Sequence, residues 1–359
     1  MEIIKTKGDS LSTGDISRAC SLCISGRKSV LFITGKCNKS CYYCPISEKR
    51  KGKTSMWINE KQVKEDSDII EEINTCGSGG VGITGGEPLL DIENTILYIT
   101  LLKKTFGKNF NIHLYTCRDD LNKTELKRLH DSGLDEIRFH SFSINQTIKK
   151  AREFNWTLTI EIPVIPEEIK QVTELIKESD KLKVDFINLN ELEFSDTNSD
   201  NMQKKGFTLT DDNLYTVKGS YETAKYVLDS IKQPLKHTVL HFCTSSNKYD
   251  YQYWNRLKNR AKNIKKDFEI VQKNGLIKKG VIFAKEGESL EQTVQKLKLK
   301  LKNFSIEKKD IGLRIETTTQ NARFGARKGY QCAEVLEIPS AEPFDLEVTF
   351  FNKKGKLME

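Results

Sequence analysis

The sequence predicts an α/β protein: a partial (β/α) barrel carrying a smaller C-terminal α+β domain. Along the first 244 residues short β-branched runs alternate with longer amphipathic ones, the pattern of βαβ units that build a parallel sheet. Six or seven such units suit a complete or partial barrel rather than a bundle or a sandwich, and in such barrels the chemistry sits at the C-terminal ends of the strands. Beyond Cys243 the texture changes to a long basic helical stretch followed by short strands. The chain therefore divides into an N-terminal segment with a Cys-x2-Cys pair (1–28), the barrel (29–244) and a basic α+β domain (245–359).

Barrel strands are expected over 29–34, 80–84, 111–115, 136–140, 157–163, 186–192 and 238–242. Helical patterns fall between them, over 59–73, 93–106, 122–132, 144–154, 167–178 and 220–231. The 93–106 stretch shows its buried face best, with Ile96, Ile99, Leu101 and Leu102 at near-helical spacing. Residues 195–218, rich in Asp, Asn, Ser and Thr, read as a long loop. The C-terminal domain reads as a helix over 249–272, a strand over 276–284, a helix over 289–301, a strand over 312–317 and short strands near 333–338 and 345–351.

The net charge of +8 is lopsided: residues 245–359 hold 24 Lys and Arg against 15 Asp and Glu, a net of +9, and the first 244 sum to −1. That asymmetry fits an acidic partner for one part of the molecule. No apolar run reaches the roughly 18–20 residues of a membrane span. The start, Met1-Glu2-Ile3-Ile4-Lys5, lacks the basic and apolar regions of a secretory signal, so a cytoplasmic protein with no membrane partner is expected. Nine cysteines are many for a reducing compartment, and their odd number and clustering point to metal ligation rather than disulfides.

The strongest cluster follows the first barrel strand. Cys37, Cys41 and Cys44 form C-x3-C-x2-C on a short loop. Three thiolates so placed suit a 4Fe-4S cluster with one iron left open for a ligand. Structural zinc is the alternative, although it usually closes at four ligands drawn from two separated pairs. At the end of the second strand stands Gly85-Gly86-Glu87-Pro88, where glycines let the backbone approach a ligand closely and Glu87 with nearby carbonyls could hold a cationic amine. Taken alone, this run reads equally well as an ordinary turn.

The triad, with aromatic Tyr43 before its last cysteine and the glycine-glutamate-proline run on the next strand, resembles the signature of the radical SAM superfamily. The resemblance implies a 4Fe-4S cluster on Cys37, Cys41 and Cys44 whose open iron binds S-adenosylmethionine. It also implies reductive cleavage of that molecule to methionine and a 5′-deoxyadenosyl radical, and an electron donor such as ferredoxin or flavodoxin. The protein's part in such chemistry is to bind, orient and exclude competing reactions. Tyr43, Gly85, Gly86, Glu87 and Pro88 are then expected at the cofactor, joined by Thr116 at the end of the third strand. Cys117 departs from the Thr-Asn-Gly-like segment of relatives and reads as a buried small side chain, with a reactive thiol as the alternative.

On later strands His140 is expected to meet the ribose, the carboxylate or the substrate. Glu161, inside an apolar run, needs a partner, either the ribose or a structural ion pair. Asn188 and Asn190 share one face of their strand and line the pocket if that face is the lumen, leaving Glu191 and Glu193 toward the helices or the rim. Over residues 20–245 the chain is similar to the pyruvate formate-lyase-activating-enzyme-like branch, and within it to an archaeal group. Lys28-Ser29-Val30-Leu31-Phe32, Cys44-Pro45-Ile46-Ser47 and the 186–192 strand carry that likeness.

A second metal site is expected from Cys20 and Cys23 together with His241 and Cys243, holding zinc or an auxiliary iron–sulfur cluster; the bland alternative is a knuckle unrelated to Cys243. In the C-terminal domain Tyr249, Tyr251, Tyr253, Trp254, Arg256, Lys258, Arg260, Lys262, Lys265 and Lys266 interleave aromatics with bases on one expected helix. Such a face suits RNA, tRNA for example, or is simply a solvated helix packed on the barrel. RNA modification, transformation of a small metabolite and activation of a protein partner compete as outcomes, with an iron–sulfur scaffold as the contrasting non-enzyme. No residue is assigned as a catalytic acid or base.

Overall fold

Strands of the first 250 residues alternate polar and apolar side chains, and the sheet they build sorts the two kinds onto opposite faces. The computed structural model describes residues 2–211, 215–231, 233–309 and 312–358. Two compact units divide it: 1–74 with 78–253, and 75–77 with 254–359. The division falls after Tyr253 rather than at the expected 244/245 boundary, because the turn following Cys243 packs back onto the N-terminal segment. There Asn247 Nδ2 donates to Ser10 Oγ at 3.0 Å and the Thr244 N–H to the same oxygen at 3.1 Å.

The first unit runs β1 (Ile4–Lys5), β2 (Leu11–Ser12), α1 (Arg18–Ile24), β3 (Lys28–Phe32), β4 (Trp57–Ile58), β5 (Lys61–Gln62), α2 (Asp66–Thr75), β6 (Gly80–Thr84), α3 (Ile92–Phe106), β7 (Asn111–Thr116), α4 (Lys123–Asp131), β8 (Glu136–Phe139), α5 (Gln146–Ala151), β9 (Thr157–Val164), α6 (Ile169–Leu182), β10 (Phe186–Glu191), α7 (Ser199–Lys204), α8 (Ser220–Ser230) and β11 (Val239–Cys243). Its single sheet is ordered β1-β2-β11-β10-β9-β8-β7-β6-β3-β4-β5. From β3 through β6 to β11 the strands are parallel, and short antiparallel strands flank both edges. Among the described residues the outermost strands β1 and β5 do not pair, so the expected partial barrel is an open one.

On the outer face Ile112, Leu114, Ile137, Ile160, Leu189 and Phe242 are completely buried in the core. The inner face carries Tyr115 beside Arg138, Glu161 beside Asn188, and Asn188 beside His241 in register. Parallel strands buried on both faces usually read as continuous apolar runs; polar alternation here marks the face turned into the lumen. Helix α1 packs against β3, β6 and β7. Ser17 caps it by accepting the Cys20 N–H at 3.2 Å, and Gly26, at φ 67°, turns the chain into β3.

Several expectations are corrected. The helix expected from 59 begins only at Asp66, because Asn59 takes a left-handed φ of 51° and turns β4 back onto β5. The expected 195–218 loop contains α7 and folds onto β10, with Glu193 bridged to Thr216; its residues 212–214 lie outside the described residues. The expected basic helix 249–272 ends early: a π-helical stretch over Asn247–Tyr253 runs without interruption into α9 (Trp254–Ile264), and the residues beyond turn into β12 (Ile270–Val271). Of the interleaved aromatics and bases, Tyr249 to Lys262 lie in this continuous helical run, and Lys265 and Lys266 fall beyond it.

The second unit continues with β13 (Ile277–Phe283), α10 (Leu290–Lys296), β14 (Phe304–Lys309), β15 (Gly312–Thr317), α11 (Thr319–Arg327), β16 (Gln331–Ile338) and β17 (Phe344–Phe350). Its order, β14-β15-β13-β16-β17, makes β13 to β16 a split β-α-β-β-α-β arrangement, extended by β17 and β12. Strand β14 has no counterpart in the expected pattern. Helix α11 packs on β13 and β16, and Gly280 permits it, since a Cβ there would strike the Thr318 carbonyl and Ala322. The opposite face carries a buried ionic network. Lys279 Nζ lies 2.9 Å from both Glu316 and Glu337, and the wholly buried Arg314 lies 2.7 Å from Glu316 and pairs also with Asp345. Part of the unit's basic charge is thus neutralised internally.

Candidate cofactor site

The loop after β3 is closed at its neck before it can present its cysteines. The Gly35 N–H donates to the Lys53 carbonyl at 2.7 Å, and the Gly52 N–H to the Gly35 carbonyl at 2.9 Å. The loop after β6 is sewn to the same neck: the Gly86 N–H reaches the Thr34 carbonyl at 2.7 Å and the Glu87 N–H the Lys36 carbonyl at 2.8 Å. A Cβ at Gly85 would meet the Thr34 carbonyl, and one at Gly86 the carbonyls of Lys36 and Gly35. These glycines therefore serve first to let two loop backbones touch.

Glu87 is fully buried, and its carboxylate is already occupied. Oε1 accepts the Leu89 N–H and the Thr116 hydroxyl, each at 2.9 Å, and Oε2 accepts the Cys117 N–H at 2.6 Å. It clamps the loop after β6 to the end of β7, and Thr116 belongs to that clamp. Cys117 is not the buried bystander expected: it is partly exposed, lies beside Cys37 and Glu87, and lines a cavity.

That cavity, about 720 Å³, is bordered by Cys37, Cys41, Cys44, Tyr43, Gly85, Gly86, Pro88, Thr116, Cys117 and His140. None of the nine cysteines is in a disulfide. Burial pushes the Cys41 thiol up; Tyr43 opposes this, and the neighbouring Cys44 and Cys37 add to it, so the three sulfurs lie within charge reach of one another. Among the described residues no three His, Cys, Asp or Glu side chains form a pre-gathered metal-binding group; the triad cysteines are free thiols lining one cavity.

The triad loop is also held from across the barrel. Tyr43 Oη shares a 2.9 Å hydrogen bond with His140 Nε2, and His140 Nδ1 lies 3.1 Å from the Glu161 carbonyl. Burial pushes His140 below its ordinary value; because a carbonyl only accepts, Nδ1–H donates to Glu161, and in the neutral ring Nε2 accepts from Tyr43. Asn198 Nδ2 donates to the Tyr43 carbonyl at 3.0 Å, and Phe207 stacks on Tyr42 at 6.1 Å between centroids. Neither Asn198 nor Phe207 is signalled by the sequence, where both fall in a stretch that reads as polar loop.

Deeper in the lumen, Glu161 receives Arg138 Nη1 at 2.6 Å and the side-chain amides of Asn188 and Asn190, each at 2.9 Å. Burial alone would raise its carboxyl; Arg138 and the two amides outweigh this and hold it below the usual range. Of the two expectations for Glu161 the ion pair is present, although Glu161 and Asn190 also line a second cavity of about 230 Å³ with Tyr43, Tyr115, His140, Glu193 and Lys248. Lys248 Nζ pairs with Glu193 at 2.7 Å. Arg138 and Lys248 are further polar residues of this region; only the polar–apolar alternation of β8 hinted at the first.

The second cysteine set is partly gathered. Cys20 accepts from Arg138 Nη2 at 3.5 Å and from Asn188 Nδ2 at 3.6 Å, and it lies beside His241. Cys243 instead accepts from Gln252 Nε2 at 3.3 Å and Asn247 Nδ2 at 3.8 Å. Burial pushes the thiols of both Cys23 and Cys243 up to about 12, which keeps them protonated. Burial would raise the Cys20 thiol too, but Arg138 and His241 outweigh it and lower it; of the expected set, the structure places His241 beside Cys20, while Cys243 is engaged by Gln252 and Asn247.

A parallel-strand barrel with a three-thiol loop at its strand ends describes a class of iron–sulfur enzyme, and the sequence comparisons identify it. Residues 31–189 match the radical SAM superfamily. Over 311 residues, 83% of this chain and 82% of its relative, the sequence is 38% identical to a Methanocaldococcus jannaschii protein named, provisionally, a glycyl-radical enzyme activating enzyme. The chain belongs to the radical SAM superfamily and is an enzyme of that class, whose chemistry rests on a 4Fe-4S cluster and S-adenosylmethionine.

Among solved structures it is similar to SuiB of Streptococcus suis bound to S-adenosylmethionine, at 16% identity over 61% of this chain and 50% of that one, with a TM-score of 0.42. It is also similar to coproporphyrinogen III oxidase of Escherichia coli, at 14% identity over 61% and 56%, with a TM-score of 0.36. It spans about half the length of these solved chains. Among the described residues no helix is long and apolar enough to cross a membrane.

Proposed function

We propose that Cys37, Cys41 and Cys44 hold the 4Fe-4S cluster and that the enzyme abstracts a hydrogen atom from a protein partner, activating it. The donor set fits: three thiols outside any disulfide share one cavity wall, soft ligands of the kind iron–sulfur clusters take, with about 720 Å³ of space beside them. When bound, cluster and S-adenosylmethionine together supply the 5′-deoxyadenosyl radical. Around them the protein's residues do the holding. Gly85 and Gly86 fix the two loop backbones, the Glu87–Thr116 clamp ties the loop to β7, and the Tyr43–His140 pair pins the triad loop to the far wall. The cavity lined by Glu161, Asn190, Glu193 and Lys248 shares Tyr43, Tyr115 and His140 with the first, and so suits the group that gives up the hydrogen.

The observation carrying the choice of a protein partner is the extent of the likeness to the activating-enzyme relative. At 83% of the chain it is too long to lie within the first unit, so the second unit is shared too. RNA, the other expected outcome, rests on the charge asymmetry of residues 245–359, part of which the buried Lys279 and Arg314 pairs neutralise within the second unit. A one-electron donor of the ferredoxin or flavodoxin kind completes the scheme.

The test uses the anaerobically reconstituted full chain with a chemical reductant and S-adenosylmethionine. Formation of 5′-deoxyadenosine is expected; none would remove the radical reading. Adding an extract from the source organism grown on α-deuterated glycine should place deuterium in that product. Product formed without deuterium would leave the enzyme and remove the glycyl-partner reading.

A further inference from the structure

One loop of the barrel is strongly basic in an otherwise acidic region. Residues 36–53, which carry the triad, hold Lys36, Lys39, Lys49, Arg50, Lys51 and Lys53 against the single acid Glu48, a net of +5, while the rest of residues 1–244 sums to −6. Both limbs of this loop converge on Gly35, whose N–H reaches the Lys53 carbonyl at 2.7 Å; a Cβ there would strike the Arg50 carbonyl. That junction sets Lys36 beside the 49–53 turn. Arg50 anchors the turn: its guanidinium lies over Phe32 and Trp57, 5.4 and 4.8 Å from the ring centroids, and Nη2 donates to the Asn59 carbonyl at 2.8 Å. Lys39 is paired with Asp119. Lys36, Lys49, Lys51 and Lys53 are exposed and form no ion pair among the described residues, and Lys51 borders the triad cavity with the exposed Cys37.

Four like charges held on one anchored loop repel one another, so their placement needs an anion. S-adenosylmethionine does not supply it, since its sulfonium and ammonium outweigh its one carboxylate. RNA fits poorly, because Phe32 and Trp57 beneath the lysines are buried and leave no ring face there for a base to stack on. An acidic protein surface that must come close to the triad fits. We propose that Lys36, Lys49, Lys51 and Lys53 form the docking surface for a small acidic one-electron carrier protein. This rests on the cluster and electron donor of the reading above. One electron leaves the carrier's reduced centre and enters the 4Fe-4S cluster; the carrier is oxidised by one electron, the cluster is reduced by one, and no bond or proton moves. Complementary charge of this kind acts mainly on the rate of encounter.

The test compares the anaerobically reconstituted full chain with the triple variant Lys36→Gln, Lys49→Gln, Lys53→Gln, none of which lines the cavity. The probe is an acidic bacterial ferredoxin. Oxidised, it should bind the wild type at low salt by calorimetry, and its Kd should rise about tenfold in the variant, or in the wild type at about 0.5 M salt. Reduced, it should transfer its electron about tenfold more slowly to the variant in stopped-flow absorbance. A viologen radical cation, which lysines do not attract, should reduce both proteins equally fast. The same three-charge change at the exposed Lys170, Lys177 and Lys181 of α6 should alter neither binding nor rate. Ferredoxin binding that ignores salt, or is equal in the variant, overturns the proposal. So does viologen reduction slowed as much as ferredoxin reduction, which would make the lysines supports of the cluster, and so does tRNA bound to these lysines more tightly than ferredoxin. Should the triple variant fail to assemble a cluster, the wild-type salt dependence and Lys36→Gln alone, with about a twofold rise in Kd, decide. Loss of the underlying cluster reading looks different: the wild type would then take no electron from the viologen.

Discussion

Two sets of cysteines in this chain share a Cys-x2-Cys spacing and differ in what surrounds it. Cys41 and Cys44, with Cys37, are partly exposed on a loop facing a large cavity. Cys20 and Cys243 are buried, and each sulfur already accepts from side chains: Arg138 and Asn188 at one, Gln252 and Asn247 at the other. A buried sulfur that accepts from such donors adds one contact to groups that are costly to leave unpaired in a dry interior. A sulfur at a cavity wall is available to an incoming metal. Spacing is common to both sets; what differs is exposure and surroundings, since Cys37 Sγ accepts only the exposed Lys39 N–H at 3.4 Å while Cys20 and Cys243 sit among buried side-chain donors.

The largest effect that could break this contrast is loss of the metal. Cys37→Ala, Cys41→Ala and Cys44→Ala should each reduce 5′-deoxyadenosine formation to background and lower iron and sulfide per chain, while Cys20→Ala, Cys23→Ala and Cys243→Ala should leave iron and sulfide unchanged. Elemental analysis after anaerobic reconstitution reads both sets at once. Iron lost from the Cys243 variant would restore the auxiliary site and end the distinction.

Next in size is the guanidinium that holds the structural set together. Arg138 binds Glu136, Glu161, Ser17 and Cys20, so Arg138→Met leaves a buried carboxylate without its cation and should destabilise by about 3–5 kcal/mol. The pH dependence carries a sign. In the wild type the depressed Glu161 contributes stability that is present above its unfolded pKa, about 4.3, and lost as pH falls through the lower folded value. Without Arg138 burial dominates, the folded pKa lies above 4.3, and Glu161 opposes folding increasingly as pH rises. Urea unfolding should therefore show the gap between variant and wild type widening from about pH 4 to pH 7. A gap that is flat over that range would separate Glu161 from Arg138.

This difference also explains how far the sequence could be read. The barrel strands were legible because their outer residues, such as Ile160 and Leu189, alternate with polar ones, and that period survives in a single sequence. The triad was legible because its three ligands lie within eight residues. Arg138, Glu161 and Asn188 meet only through strand register, and Cys20 reaches them from a helix more than one hundred residues away, so no local pattern announces them. Asn198 and Phe207 fasten the triad loop from a stretch whose composition reads as solvent-exposed. Asn59 shows the same limit in reverse: an acceptable helical pattern is interrupted by one left-handed residue that tertiary pairing of β4 with β5 requires.

The smallest expected effect is at Cys20 itself. Its two donors have other partners: Arg138 Nη2 also reaches Ser17 Oγ at 3.3 Å, and Asn188 Nδ2 also reaches Glu161 at 2.9 Å. Removing the sulfur leaves neither group wholly unpaired, so Cys20→Ala should cost only about 1 kcal/mol, the size of one net hydrogen bond. It should shift the urea midpoint without changing the slope of the transition. A loss several times larger would mean that the thiol, rather than Arg138, organises the lumen, and that this buried cysteine has been assigned to the wrong side of the contrast.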